Sequence, residues 1–314
     1  MFNINLITYI IVFYTFIMPI NAYSVSNKCN NIKKICNVLD KVVGIKTPMM
    51  IASGTIISDN LIITNRHVVE DHKQFIIKFN DGKIKKAFPL AHNFPADLAL
   101  LTLNKELEVP NQLFFSNKIK GLINVVAFDQ GRNSNRIYNK GKIISFSDIQ
   151  KYPQGRIHTT AKSLPGNSGG VAVDEDGNFV GILASGDGNI NEIIPIVLIN
   201  EVLKNTNEIY NDQFLKTGKY IRLCADNLDI SFNTNKNLDK KIVNNIDDYC
   251  WKSNNKQLID QAGQTFGRLG DLRRSTKFLE KSVELDPMSP NSLLSLAITY
   301  HIDRKIEKER PLIK

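Results

Sequence analysis

The chain has 314 residues, 42% hydrophobic and 23% charged, which is ordinary for a globular protein and long enough for two domains or one large one. Its 40 Lys and Arg against 31 Asp and Glu give +9, but the basic residues are dispersed and form no long block. Dispersed charge mainly affects solubility, so no nucleic-acid partner is expected. At the N-terminus Asn5–Ile20 is apolar and too short for a comfortable transmembrane helix. Ile20-Asn21-Ala22 then offers a small residue for signal peptidase. A signal peptide over 1–22 is expected, although no Lys or Arg precedes Lys28; an uncleaved anchor is the alternative. Either way the rest of the chain is exported, periplasmic or secreted, with no stable membrane span once the signal is removed. Four cysteines, Cys29, Cys36, Cys224 and Cys250, agree with export and suggest disulfides. Three connectivities are possible, and local pairing of Cys29 with Cys36 and Cys224 with Cys250 is expected. No CxxC spacing occurs, which disfavours a zinc site, and no metal or cofactor is expected.

From Val42 to Ser185 the pattern is short apolar runs separated by turns. TIIS (55–58), LIIT (61–64), FIIKF (75–79), LALLTL (98–103), INVVAF (123–128), KIISF (142–146), VAV (171–173) and FVGILA (179–184) are examples. Asp59-Asn60, Asn80-Asp81-Gly82 and Asp174–Asn178 supply turn signals between them. Many short strands without intervening helical periodicity predict an all-β sandwich or barrel. Val197–Ile209 has near-helical spacing and closes this region, so a β domain is placed at 23–205. A polar, cysteine-containing connector follows over 206–250. Helical periodicity begins at Asn254 and is interrupted at Asp286-Pro287.

The tail, 251–314, resembles tetratricopeptide repeats of about 34 residues. With Lys256 as first position, Gly263 and Phe266 fall where helix A packs, Ser275 and Ser282 at the small positions of helix B, and Pro287 at the terminal proline. Pro290 starts a second, truncated repeat in which Leu293, Leu296, Ala297 and Tyr300 take the corresponding places. Serines stand where the repeat prefers alanines. Such a segment would dock on the β domain or on a protein partner.

The chemistry centres on LPGNSGGVAV (164–173). Gly166-Asn167-Ser168-Gly169-Gly170 fits G-x-S-x-G, the nucleophile elbow, which requires a strand, the serine, then a helix, with Asp and His downstream. Here a strand follows, and the only downstream histidine, His301, lies in the helical tail. Upstream, GTIISDNLIITNRHVVED (54–71) brings His67 to the end of a strand, and PADLALLTL (95–103) sets Asp97 before another. The order His67, Asp97, Ser168 is the chymotrypsin order.

These stretches resemble the trypsin-like serine peptidases, in particular the HtrA/Deg-like branch, over roughly Val42 to Asn205. The resemblance implies a mainly β fold, a double six-stranded β-barrel, here followed by a small α-helical repeat segment. It also implies a cleft in which Ser168 is nucleophile, His67 general base and acid, and Asp97 the group that fixes the imidazole tautomer. The N–H groups of Gly166 and Ser168 would form the oxyanion hole. A protein or peptide is the substrate expected, cleaved by a serine endopeptidase. A catalytically weak scaffold acting through the helical tail is the alternative. Lys162 is a candidate S1 residue favouring acidic side chains, and Ala184, Ser185 and Gly186 are candidates for the strand that pairs with substrate backbone. LysValValGly (41–44) looks like a trypsinogen-type activation site. Asn167 stands where that mechanism needs an aspartate, so Val42-Val43 is read as an ordinary first strand.

Overall fold

The computed structural model describes residues 29–48, 50–104, 115–116, 121–186, 189–234 and 238–313. The signal peptide expected over 1–22 lies outside them. Ile32–Lys314 form one compact unit. After a single turn α1 (Lys33–Cys36), six strands close a first antiparallel barrel. They are β1 (Val42–Lys46), β2 (Ile51–Ile56), β3 (Leu61–Thr64), β4 (Phe75–Lys78), β5 (Ile84–Leu90) and β6 (Ala99–Leu103), in the order β1-β2-β3-β6-β5-β4 with β1 pairing β4. A one-turn helix α2 (Arg66–Val69) follows β3. His67 therefore sits in a helical turn, where the sequence pattern suggests the end of a strand.

A second barrel is built from β7 (Leu122–Asp129), β9 (Gly141–Phe146), β10 (Ile157–Thr159), β11 (Val171–Val173), β12 (Phe179–Gly186) and β13 (Asn191–Pro195). The order is β11-β12-β13-β10-β9-β7, closed by pairing of β11 with β7, and β8 (Ser134–Ile137) adds to the outer side of β7. The fold is thus two six-stranded antiparallel barrels. Strand alternation divides the apolar residues between cores. Ile62, Ala99 and Leu101 fill the first barrel, while Ile63, Leu98 and Leu100 join Val126, Val171 and Ile182 between the barrels. Both faces of β6 are buried, which is why 98–103 reads as an unbroken apolar run rather than an alternating one. Val42 and Val43 lie in the β1–β2 ladder, as an ordinary first strand should.

After α3 (Leu198–Lys204) the chain turns helical earlier than the sequence suggests. The connector expected over 206–250 holds two long antiparallel helices, α4 (Asn211–Asn233) and α5 (Lys240–Ser253). They pack through Ile221, Leu228 and Ile246. A disulfide joins Cys224 to Cys250, and Cys29 and Cys36 are disulfide-bonded too. The Cys224–Cys250 loop spans 26 residues, so loop-closure entropy gives it about 3.5 kcal/mol. Replacing both cysteines by alanine should lower the denaturant midpoint of the helical segment correspondingly, as followed by circular dichroism.

Then come α6 (Lys256–Arg268), α7 (Leu272–Leu285), α8 (Pro290–Ile302) and α9 (Ile306–Glu309). α6 starts at Lys256 and α8 at Pro290, and the break between α7 and α8 falls after Leu285. A Cβ on Gly263 would lie 2.6 Å from Leu279 Cγ, so α6 and α7 can approach this closely only with glycine there. No helix among the described residues is long and apolar enough to cross a membrane.

Candidate active site

The one-turn helix α2 after β3 delivers His67, and the turn before β6 delivers Asp97. His67 Nδ1 and Asp97 Oδ2 are 2.8 Å apart, and the backbone N–H of His67 donates to Asp97 Oδ1 at 3.0 Å. The Asp97 side chain is 1% exposed and that of His67 15%. Asn65 Nδ2 donates to the Asp97 carbonyl at 3.1 Å and ties the two segments together. Burial alone would raise the Asp97 pKa. The His67 charge and hydrogen bonds, with Arg156, outweigh it and hold the carboxyl below its usual range. The pair is therefore an ionised carboxylate oriented on an imidazole whose other nitrogen, Nε2, has no hydrogen-bond partner among the described residues.

Ser168 comes from the second barrel, on the loop into β11. That loop is fastened to the first barrel. Ser53 N–H donates to the Ser168 carbonyl at 2.8 Å, Thr55 Oγ1 to the Gly169 carbonyl at 2.9 Å and Ser53 Oγ to the Gly166 carbonyl at 3.0 Å. Gly169 has φ +86°, and a Cβ there would lie 2.0 Å from the Ser53 carbonyl and 2.3 Å from Thr64 Oγ1, at the end of the strand leading to His67. Asn167 is buried: its Oδ1 accepts from Leu164 N–H at 2.7 Å, and its Nδ2 donates to the Phe128 carbonyl and Tyr138 hydroxyl. Every polar group of that amide is used in shaping the loop.

Ser168 Oγ donates to the Ala184 carbonyl at 3.0 Å, and no hydrogen bond among the described residues joins it to His67. Neither the Gly166 nor the Ser168 N–H has an intramolecular acceptor among them, which leaves two donors on either side of Asn167. β12 runs on past Ile182, which pairs with Val171, the first residue of β11. Among the described residues Ser185 and Gly186 pair on one side, with Glu192 and Asn191 of β13. Lys162 is exposed, with its N–H on the Asn139 carbonyl at 3.3 Å.

The sequence reading does not find a second set of groups. Arg156, buried before β10, lies 3.5 Å from Asp97 Oδ2 and 3.2 Å from Glu192 Oε2. Ser185 Oγ also donates to Glu192, at 2.7 Å. Lys256, fully buried, brings its Nζ to Glu192 Oε1 at 2.5 Å and to within 3.8 Å of Asp286. Asn255 Nδ2 donates to Asp97 Oδ1 at 2.8 Å. Asn255 and Lys256 lie far in the sequence from Asp97, Arg156 and Glu192. Asn255 shows there only as a helix cap and Lys256 only as the first position of a repeat, so no local signal marks them. His158, Glu192 and Asp286 could place ligand atoms within 4.8 Å of one another, but the Lys256 ammonium already lies against both carboxylates and supplies the positive charge there.

Glu70, at the C-terminal end of α2, carries a pKa raised from 4.5 to about 7, chiefly by burial and then by Asp226. Folding therefore favours its protonated form. That contribution is full below about pH 4.5 and is lost as pH rises through 7. Glu70→Gln should match wild type in thermal stability at pH 4 and exceed it by about 2–3 kcal/mol above pH 8.

Residues 52–182 match the trypsin-like peptidase domain family, and the two six-stranded antiparallel barrels match a chymotrypsin-like fold. Within that class the chain is similar to HtrA/Deg serine endoproteases. It is 28% identical over 186 residues to the serine endoprotease DegS of Escherichia coli (strain K12), covering 55% of this chain and 50% of DegS. It is 31% identical over 198 residues to the mitochondrial Protease Do-like 4 of Arabidopsis thaliana, covering 59% of this chain and 36% of that protein. A solved structure of the HtrA-type protease AlgW with a tripeptide aligns with TM-score 0.48 and 25% identity, over 55% of this chain and 61% of AlgW. The chain thus spans half or less of the length of these curated relatives.

Proposed function

We propose that the protein is a serine endopeptidase that hydrolyses peptide bonds of a protein or peptide substrate through an acyl-enzyme formed on Ser168. The observation that carries this reading is the buried Asp97 carboxylate oriented on His67 Nδ1 at 2.8 Å, with Nε2 left for a hydroxyl. Serine is a weak nucleophile at its own pKa and needs that base. Catalysis requires Ser168 Oγ to leave the Ala184 carbonyl for His67 Nε2, a tightening common when substrate enters a resting site. His67 takes the proton as Oγ attacks the carbonyl carbon, then returns it to the leaving amine. The N–H groups of Gly166 and Ser168 donate to the developing oxyanion. Gly166, at φ +89° and with a Cβ position 2.9 Å from the Ile51 carbonyl, holds a backbone shape suited to aiming its amide.

Substrate backbone would add alongside Ala184, Ser185 and Gly186, where β12 extends beyond β11. The exposed Lys162 ammonium makes an acidic side chain the specificity to test first. Export by a signal peptide over 1–22 is part of this proposal, supported by the disulfides. The reading of 251–314 as tetratricopeptide-like, able to hold a protein partner, is part of it too.

A peptide-library digest by the full chain tests the activity. Cleavage by wild type, lost in Ser168→Ala, is the expected result; intact peptides after prolonged incubation with folded wild type would refute it. The hydrogen bond of Ser168 to Ala184 favours a second reading, a scaffold with negligible turnover. That reading predicts capture of a partner by the full chain, equally by wild type and Ser168→Ala, with no proteolysis.

A further inference from the structure

The helical segment does more than pack on the barrels. It grips both parts of the first-barrel site. On α2, the Arg66 guanidinium lies over the Phe214 ring of α4 at 3.6 Å to the centroid. Next to it, Gly218 of α4 passes so close that a Cβ would lie 2.0 Å from the Glu70 carbonyl. Arg222 forms a fork on Asp71, at 2.8 and 3.0 Å. On Asp97 the contact is direct. Asn255, the N-cap of α6, uses the two ends of its amide for different purposes. Its Oδ1 accepts from Gln257 and Leu258 N–H, at 3.0 and 3.3 Å, which caps the helix. Its Nδ2 donates to Asp97 Oδ1 at 2.8 Å. The next residue, Lys256, anchors the cap in the second barrel through Glu192, and the Lys256 N–H donates to Gln154 Oε1 at 3.0 Å.

A carboxylate that must hold an imidazole needs its own rotation fixed. Asp97 Oδ2 serves His67 Nδ1, while Oδ1 is held by His67 N–H from the barrel and by Asn255 from outside it. Resting on the serine-peptidase reading above, we propose that Asn255 is a positioning residue for Asp97, so that the helical segment completes the active site and its docking is coupled to catalysis. Any partner that draws α6 away from the barrels would weaken the His67–Asp97 pair without touching the substrate cleft. The charged groups facing that pair are Arg156 from the second barrel, and Arg66 and Glu70 from α2 and its end.

Asn255→Ser separates positioning from capping. Its hydroxyl still caps α6 but is too short to reach Asp97. With one donor fewer, the Asp97 charge is shared less and favours protonated His67. His67 must be neutral to act as base, so the acidic limb of kcat/KM should move up by about half a pH unit. kcat should fall about tenfold, with KM little changed. Asn255→Asp, which also caps, adds a negative charge and should move the limb further the same way. The His67 titration is followed in parallel by NMR of the histidine-labelled full chain, which does not depend on turnover. A His67 midpoint raised in both variants supports the proposal even if wild type cleaves nothing, in which case only the peptidase reading fails. Unchanged His67 titration in folded Asn255→Ser and Asn255→Asp would overturn it, whatever the activity of wild type.

Discussion

Asp97→Asn should lower kcat by about four orders of magnitude while the protein stays folded. The reason is geometric. Asp97 accepts at both oxygens, Oδ1 from two N–H groups and Oδ2 from His67 Nδ1. An amide has one acceptor oxygen. If that oxygen replaces Oδ1, the amide nitrogen faces Nδ1, and the imidazole must turn to the tautomer whose Nε2 carries the proton. It can then no longer take a proton from Ser168. If the oxygen replaces Oδ2, the amide nitrogen is pressed against two donors at the Oδ1 side. Loss of the charge also leaves Arg156 facing Glu192 alone. Steady-state kinetics at pH 7, with circular dichroism as the control for folding, checks this. A variant within tenfold of wild type would remove Asp97 from the mechanism.

Gly169→Ala carries the largest expected effect on structure. The new methyl would need the space of the Ser53 carbonyl and of Thr64 Oγ1, at a φ of +86° that side chains rarely adopt. Neither neighbour can give way cheaply. Ser53 sits in the β1–β2 ladder and its N–H holds the Ser168 carbonyl, while Thr64 Oγ1 donates to the Ser53 carbonyl at 2.8 Å. Strain and overpacking together should cost about 3–5 kcal/mol. If the chain still folds, the barrels should part locally and activity should fall with the loss of the loop. Urea unfolding of the variant measures the first effect. A loss below 1 kcal/mol would mean that the contact between the serine loop and β2 is looser than described.

Most of the short strands are legible in the sequence because each is a local pattern, whereas their arrangement as two barrels is implied only by the family resemblance. LIIT (61–64) and LALLTL (98–103) declare strands, and the residues that follow or precede them, His67 and Asp97, take positions fixed by those strands. GNSGG chooses between two serine chemistries only through its flanks. β5, β8, β10 and β13 are less visible. IKKAFPL (84–90) carries lysines and a proline, and IHT (157–159) is too short to show a period. α4 and α5 are hidden by composition: Asn, Asp and Ser lower helix propensity, and the packing of the two helices on each other, which a local pattern does not reveal, supports them. The network from Asn255 and Lys256 to Asp97 and Glu192 depends on where the helical segment docks. No pattern in a single sequence encodes that contact.

The claim that Ser168 is a nucleophile activated by His67 is tested most directly by intact-mass and peptide mass spectrometry of the full chain after treatment with a fluorophosphonate. Phosphonylation forms a Ser168 Oγ–P bond, fluoride leaves and His67 takes the hydroxyl proton. One adduct per chain on the peptide containing Ser168, absent in Ser168→Ala and formed far more slowly in His67→Ala, is the predicted result. Folded wild type that stays unmodified, or that is labelled at another residue as fast as Ser168→Ala, would contradict the assignment.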